Sequence, residues 1–356
     1  MELSDLRSKV DELDGQILDL LNRRARIVID IAGEKEKRKI GFYVPEREEE
    51  IYHRMVSLNA GPLPKNAIRA IYREILSACL SLERPLKVAY LGPPATFTHL
   101  ASMKKFGSSA EFVPMKGISD VFLEVEKGNA DYGVVAVENS TEGMVNHTLD
   151  MFVDSDLKIF GEIFLEVSHT LLSISGKLKE IEKVYSHPQA LAQSRKWLEA
   201  NLPHAELVEV FSTAAAAEMA KKDRTGAAIA SDLAADLYDL TRVQSRIEDC
   251  AKNYTRFLII GNHFGPRTGN DKTSILFSIR DHVGALYRIL EPFAKKGINL
   301  TNIESRPIKI RAWDYIFYLE YEGYVDEGPA KEVLAYLRKE CYMLKVLGSY
   351  PKGVYY

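Results

Sequence analysis

Three successive patterns predict a multidomain fold: an all-α module, a two-lobed α/β domain and a ferredoxin-like βαββαβ domain. The first pattern is a heptad seam near the N-terminus, and the second is a run of short apolar strands alternating with helices from residue 86 onward. The third is the order strand, helix, strand, strand, helix, strand after a glycine- and proline-rich linker. The expected boundaries are 1–85, 86–264 and 272–356.

In the first module Ser4 can cap a helix and Asp5 suits its first turn. Leu6, Val10, Leu13, Ile17 and Leu20 then recur at alternating spacings of four and three, and Ile27 and Ile31 resume the seam. The pattern predicts one helix to about Arg38, with Gly41 just beyond it. At 1.5 Å per residue this is a rod roughly 50 Å long, too long to bury its own seam, so a helical dimer is expected. Pro45 opens a second helix, Gly61-Pro62-Leu63-Pro64 breaks it, and a third runs from Lys65 to Leu82.

Lys87 to Pro93 reads as a strand entering a turn, Tyr132 to Val137 as a buried strand, and Thr213 to Lys221 as a helix. That alternation implies a mostly parallel sheet, and the segment is long enough for two lobes around a cleft. Gly265 to Asn270 is the linker. Strands follow at Thr273 to Ile279, Leu300 to Pro307, Tyr315 to Tyr321 and Met343 to Tyr350, with helices at Val283 to Lys296 and Pro329 to Glu340.

The chain has 356 residues, 46% hydrophobic and 27% charged, and a formal net charge of -3. This balance argues against a general role on nucleic acid or at a membrane surface. No run of about 18 apolar residues and no signal peptide is evident. Cys79, Cys250 and Cys341 lie far apart and form neither a metal-ligand spacing nor a disulfide framework. A reducing, cytoplasmic location is the expectation.

Arg24 occupies a seam position where Leu or Ile belongs, and a charge there is costly without a partner. Lys35 lies eleven residues on, a rotation of only about 20°, so both can face one pocket. Arg7 lies about 100° away in the opposite sense and is better placed to reach a neighbouring chain. Converging cations imply a small polyanion, although solvated side chains give the same pattern.

The segments Leu6-Arg7, Asn22-Arg23-Arg24, Gly33-Glu34-Lys35 and Pro45-Glu46-Arg47-Glu48 resemble the all-helical chorismate mutase family. The resemblance implies an intertwined dimer in which Arg7, Arg24, Lys35, Arg47 and Glu48 contact the substrate, with Arg7 supplied by the other subunit. It implies a Claisen rearrangement of chorismate to prephenate, for which arginines clamp two carboxylates and Lys35 donates to the ether oxygen. Cys79 and Glu83 stand where many relatives carry Ser or Thr and Gln. A carboxylate cannot donate a hydrogen bond, so Glu83 assists only when protonated, and acid-shifted mutase activity is expected.

Four further segments resemble prephenate dehydratase: Leu91 to Thr98, Val137 to Gly143, Tyr185 to Gln189, and Asn253 to Phe257. The resemblance implies a fold like that of periplasmic binding proteins, with Glu138, Asn139, Ser186, Gln193, Thr255, Arg256 and Phe257 about the substrate. Thr255 is the implied proton donor to the departing hydroxyl, or the group that positions one. Arg256 is either a partner for a substrate carboxylate or a structural cation. His187 precedes Pro188 and reads as a structural hydrogen bonder more readily than an acid, and His169 still more so. Ala95 stands where the family carries Gly.

Gly284-Ala285-Leu286 and Glu304-Ser305-Arg306-Pro307, within the βαββαβ order, resemble the ACT domain of this family. The resemblance implies phenylalanine bound between paired domains by Gly284, Ala285, Leu286, Asn299, Leu300, Glu304, Ser305 and Arg306. Arg306 serves equally well as a structural ion pair. The whole is similar to the bifunctional chorismate mutase–prephenate dehydratase family, with no cofactor or metal, feedback by phenylalanine, and a homodimer or dimer of dimers. Two alternatives stand beside it. One is a monofunctional prephenate or arogenate dehydratase whose N-terminal helices only dimerise, and the other is a binding protein without catalysis.

Overall fold

The computed structural model describes residues 2–38, 43, 45–250, 252–280, 282–307 and 315–356, with the backbone alone at 45 and 46. It divides into two compact units, residues 1–87 with 103–111, and residues 88–102 with 112–356. The central and C-terminal domains therefore form a single body.

The first unit is built on α1 (Leu3–Arg38), α2 (Pro45–Leu58) and α3 (Lys65–Glu83). The helix begins one residue before the expected cap. Its free N-terminal amide is met by Asp5, whose Oδ2 accepts from the Glu2 N–H at 3.2 Å, and Ser4 lies inside the first turn. The expected stop at Gly41 lies outside the described residues. At 36 residues α1 is about 54 Å long. None of its residues is buried, and the seam positions Leu6, Val10, Leu13, Ile17, Leu20, Ile27 and Ile31 are all exposed. α3 holds the polypeptide at 103–111: Arg73 Nη1 donates to Lys104 O, and Glu74 Oε2 accepts from the backbone and hydroxyl of Ser108.

In the second unit the chain order is β1 (Lys87–Leu91), α4 (Phe97–Phe106), β2 (Glu111–Met115), α5 (Ile118–Glu126), β3 (Tyr132–Asn139), β4 (Gly143–Met144), α6 (Asn146–Asp154) and β5 (Lys158–Glu166). The chain then crosses to a second lobe with β6 (Thr170–Ser173), β7 (Lys183–Ser186), α7 (Pro188–Gln193), α8 (Arg195–Asn201), β8 (Glu206–Glu209), α9 (Thr213–Ala220), β9 (Gly226–Ala230), α10 (Asp232–Tyr238) and β10 (Thr241–Ser245). It returns along β11 (Tyr254–Gly261). The C-terminal domain comprises β12 (Asp271–Ser278), α11 (Ala285–Lys295), β13 (Leu300–Pro307), β14 (Tyr315–Glu322), α12 (Gly328–Glu340), β15 (Met343–Pro351) and β16 (Val354–Tyr355).

The lobe sheets are mixed rather than mostly parallel. The first has the order β16-β5-β11-β3-β1-β2, with β4 on β3, and the second β10-β6-β9-β7-β8. β1 and β3 pair in parallel, but the returning β11 runs antiparallel to both β3 and β5. A chain that enters a second lobe and comes back must reverse direction, and alternation of elements along the sequence does not reveal this. The C-terminal sheet has the order β13-β14-β12-β15 with antiparallel neighbours, the arrangement the βαββαβ order predicts.

One strand falls outside the βαββαβ order expected of the C-terminal module. After leaving the C-terminal sheet the chain adds β16 to the central sheet, parallel to β5, where Tyr355 stacks on Phe164 with ring centroids 4.6 Å apart. Two glycines permit the close approach of the sheets. A Cβ at Gly348 would collide with the backbone carbonyl of Ile159, and one at Gly265 with that of Phe160. Backbone cannot yield as a flexible side chain can. Gly348→Ala is therefore expected to destabilise the second unit by about 2 kcal/mol or more, measurable by urea unfolding against the wild type.

Candidate active sites

Rotation along α1 brings Arg24 and Lys35 to one pocket of about 890 Å³, together with Arg23, Arg47 and Glu48. α3 contributes Cys79 and Glu83. Lys35 Nζ lies 3.2 Å from Glu83 Oε2, whose side chain is 5% exposed. Glu48 is oriented by two phenols, Tyr43 and Tyr52, each donating at 2.6 Å. Arg24 Nη1 is buried with no hydrogen-bond partner among the described residues. A buried guanidinium nitrogen in that state awaits an acceptor. Arg7 is exposed and does not line the pocket. Arg54 lines it without having been expected, although it stands seven residues after Arg47 on one face of α2.

The second candidate is a cleft of about 930 Å³ between the two lobes of the second unit. Its floor lies beyond the carboxyl ends of β1, β3 and β7, where open α/β sheets present their loops. The turn after β1 includes Ala95 with φ 69° and no exposure. A left-handed residue explains the resemblance to glycine at this position. Here the alanine is held by Ser231 Oγ donating to its carbonyl at 2.7 Å.

Asn139, Gln193, Thr255 and Phe257 all line the cleft. Asn139 Oδ1 accepts from the backbone N–H groups of Thr141 and Glu142 and from the Thr141 hydroxyl, which turns its amide nitrogen toward Thr255. Asn139 Nδ2 donates to Thr255 Oγ1 at 2.8 Å and to Asn253 Oδ1 at 2.9 Å. Asn253 Nδ2 in turn donates to Gln193 Oε1 at 3.3 Å, which also accepts from His169 Nε2 at 2.8 Å. A hydroxyl that accepts from an amide keeps its own proton for another acceptor. In the sequence Asn253 stands out only as the first residue of the Asn253 to Phe257 motif, and its place in this relay of hydrogen bonds emerges from the fold.

Three expected cleft residues lie elsewhere. Ser186 is fully buried, and its hydroxyl donates to Ile229 O at 2.7 Å between β7 and β9. Glu138 and Arg256 alternate with Asn139 and Thr255 along their strands and face away from the cleft. Arg256, 4% exposed, lies against Glu162 and Glu320 at 2.6 Å each. It is a structural cation, the second of its two expected roles. His187 caps α7, its Nδ1 accepting from Gln189 N at 3.3 Å.

The third pocket, about 240 Å³, lies at the start of α11 and is lined by Gly284, Ala285 and Leu286 with Tyr315 and Phe317. Gly284 has φ 77°, which suits glycine at this helix start. Within one chain Asn299, Leu300, Glu304, Ser305 and Arg306 do not line it. Leu300 packs on the domain core, and Arg306 pairs with Asp150 of α6 at 3.1 Å.

A family model described as chorismate mutase type II matches residues 6–84, one described as prephenate dehydratase residues 88–264, and an ACT domain residues 273–338. A bifunctional chorismate mutase/prephenate dehydratase from Aquifex aeolicus (strain VF5) is 51% identical over 357 residues, covering 99% of each chain. The chain belongs to the bifunctional chorismate mutase/prephenate dehydratase family. A relative of the same description from Pseudomonas aeruginosa is 48% identical, covering 99% of this chain and 98% of that one. The solved prephenate dehydratase of Arthrobacter aurescens, in complex with L-Phe, is 33% identical. It aligns with a TM-score of 0.70 over 75% of this chain and 90% of that one. Among the described residues no helix is long and apolar enough to cross a membrane.

Burial lowers the His169 imidazole from its usual range, against a smaller opposing pull from Gln193 and Glu248, and burial likewise lowers His99. Both rings are thus held neutral by the fold, and the unfolded chain takes up these protons first. Their stability contribution is complete above about pH 6.5 and is lost as the pH falls toward the folded midpoints. An imidazole NMR titration is expected to show both midpoints below that of an exposed histidine, and a midpoint at or above it would contradict this reading.

Proposed function

We propose that this chain rearranges chorismate to prephenate in the helical pocket and converts prephenate to phenylpyruvate in the two-lobed cleft, under feedback from phenylalanine at the C-terminal domain. The observation that carries the second activity is the Thr255 hydroxyl at the cleft floor, accepting from Asn139 with its own proton free for a ligand. Prephenate aromatises when the ring carboxylate leaves as carbon dioxide and the ring hydroxyl leaves as water. The electrons of the breaking carbon–carbon bond enter the ring as the carbon–oxygen bond breaks, so one proton must reach the departing oxygen. Thr255 donates a hydrogen bond to that oxygen. Asn139, locked by the Thr141–Glu142 turn, holds Thr255 in the donating orientation.

In the helical pocket the reaction needs a compact conformer and charge stabilisation rather than an acid or nucleophile. Arg24 and Arg47 bind the carboxylates, and Lys35 donates to the ether oxygen as negative charge grows there. Glu83 accepts from Lys35 at 3.2 Å and as a carboxylate keeps it aimed into the pocket, a supporting role that the expectation of help only from protonated Glu83 did not include. Arg7 serves the site of a second copy, whose own α1 covers the exposed seam. Free cysteines at positions 79, 250 and 341 accord with a reducing, cytoplasmic setting.

Thr255→Ala is expected to abolish most phenylpyruvate formation from prephenate and leave chorismate consumption intact. Wild-type phenylpyruvate formation in that variant would refute the assignment. The shared mutase site has its own test. Arg7→Ala and Lys35→Ala chains, each inactive alone, should recover about a quarter of wild-type mutase activity when unfolded together and refolded, because half the dimers are mixed and each mixed dimer has one intact site. No recovery would place Arg7 and Lys35 in the same chain's site.

A further inference from the structure

Arg256 has a neighbour on either side that lines the cleft, yet its own side chain points the other way. There it meets a closed ring of charge. Arg256 Nε donates to Glu162 Oε2 at 2.7 Å, and Arg256 Nη2 lies 2.6 Å from Glu320 Oε1. Lys272 Nζ completes the ring at 3.3 Å from Glu162 Oε2 and 3.0 Å from Glu320 Oε2. The four side chains are between 1% and 10% exposed. Two of them belong to the central sheet, Arg256 on β11 and Glu162 on β5, and two to the C-terminal sheet, Lys272 on β12 and Glu320 on β14.

Further donors hold both carboxylates, those to Glu320 from within its own sheet and the one to Glu162 from the segment that follows β15. Glu320 Oε1 accepts from Ser274, Tyr318 and Tyr350, and Glu162 Oε1 accepts from Gly353 N just before β16. Burial works against the Glu320 carboxylate, but Arg256 and Lys272 outweigh it and hold the carboxyl far below its usual range. The two cations balance the two buried anions, and Glu138, 41% exposed, adds a third carboxylate at the rim, 3.7 Å from Arg256 Nη1. A buried ion cluster confers little stability over an apolar contact of equal shape, but it tolerates little displacement. It therefore specifies register between the two sheets. The register shift of β11 against β3 falls between Arg256 and Phe257, so the anchored residue sits at the irregular point of the strand that carries Thr255.

We propose that Arg256 is a positioning residue for Thr255, and that the buried Arg256–Glu162–Lys272–Glu320 ring transmits the phenylalanine response from the C-terminal sheet to the dehydratase cleft. This deepens the proposed function and rests on it. A displacement of the C-terminal sheet pulls on Arg256 through Glu320, and β11 conveys the pull one residue along to the hydroxyl. Misplacing a reacting group by 1 Å can cost about 100-fold in rate.

Glu320→Gln keeps the shape of the side chain and removes one charge. Lys272→Met removes the opposing charge, so the double variant is neutral again. In Glu320→Gln the dehydratase kcat is expected to fall roughly 10- to 100-fold with the KM for prephenate within about twofold. Saturating phenylalanine should give less than about half of its wild-type fractional inhibition. The double variant should regain part of both, and chorismate consumption should be unchanged throughout. A Glu320→Gln protein with the wild-type melting profile, kcat and phenylalanine response would overturn the proposal, as would a loss expressed only in KM. If Glu320→Gln does not fold, the double variant decides: a folded double variant must show at least part of the loss, and full wild-type rate and inhibition in it would refute the ring's role. A wild-type chain that forms no phenylpyruvate, or does not respond to phenylalanine, would instead refute the underlying reading.

Discussion

Four charges taken out of water between two sheets constrain how those sheets sit on one another. Removing one partner from a buried ion pair leaves an uncompensated charge, at a cost of about 3–5 kcal/mol. The Arg256–Glu162–Lys272–Glu320 ring therefore admits one registration of the central sheet on the C-terminal sheet. Much else follows from that registration. Gly348 and Gly265 let the backbones meet, and Lys345 reaches the carbonyls of Val153 and Ser155 at the end of α6. β16 then closes on β5 beside the ring. The hydroxyl of Thr255 is one residue from the centre of this arrangement.

The helical unit obeys the opposite constraint. No residue of its long helix is fully buried, and seven large apolar residues along the seam stand in solvent in a single chain. Exposing so continuous an apolar stripe is unfavourable, and a second α1 is the simplest cover. The pocket is likewise rich in cations and holds an unsatisfied guanidinium nitrogen on Arg24, an arrangement suited to a polyanion. The two units thus differ in kind, one carrying a buried ionic joint between its sheets and the other leaving an apolar seam uncovered in a single chain.

Helix rotation alone placed Arg24 and Lys35 on one face and Arg7 on another, because an α-helix has a fixed pitch and local spacing is spatial spacing along it. For the same reason Arg54 was legible from Arg47, although the expectation had not included it. Strands are less forgiving. Thr255 and Phe257 face the cleft while Arg256 and Glu138 do not, since neighbouring side chains alternate across a sheet and a motif quoted as consecutive residues hides the alternation. Ser186 shows a further limit, for its hydroxyl is claimed by Ile229, a carbonyl 43 residues away.

The three-part order, the long first helix, the βαββαβ module and the family are legible in the sequence alone, because each depends on periodicity, turn chemistry or short ordered motifs. Long-range pairing alone makes the central and C-terminal domains one body, turns β11 antiparallel, brings β16 back to the first lobe, and commits Arg256 to the joint rather than the cleft. Those outcomes depend on pairing between residues tens to more than a hundred positions apart, such as Arg256 with Glu162 and Glu320. Neither local propensity nor spacing carries information about which buried charge will meet which.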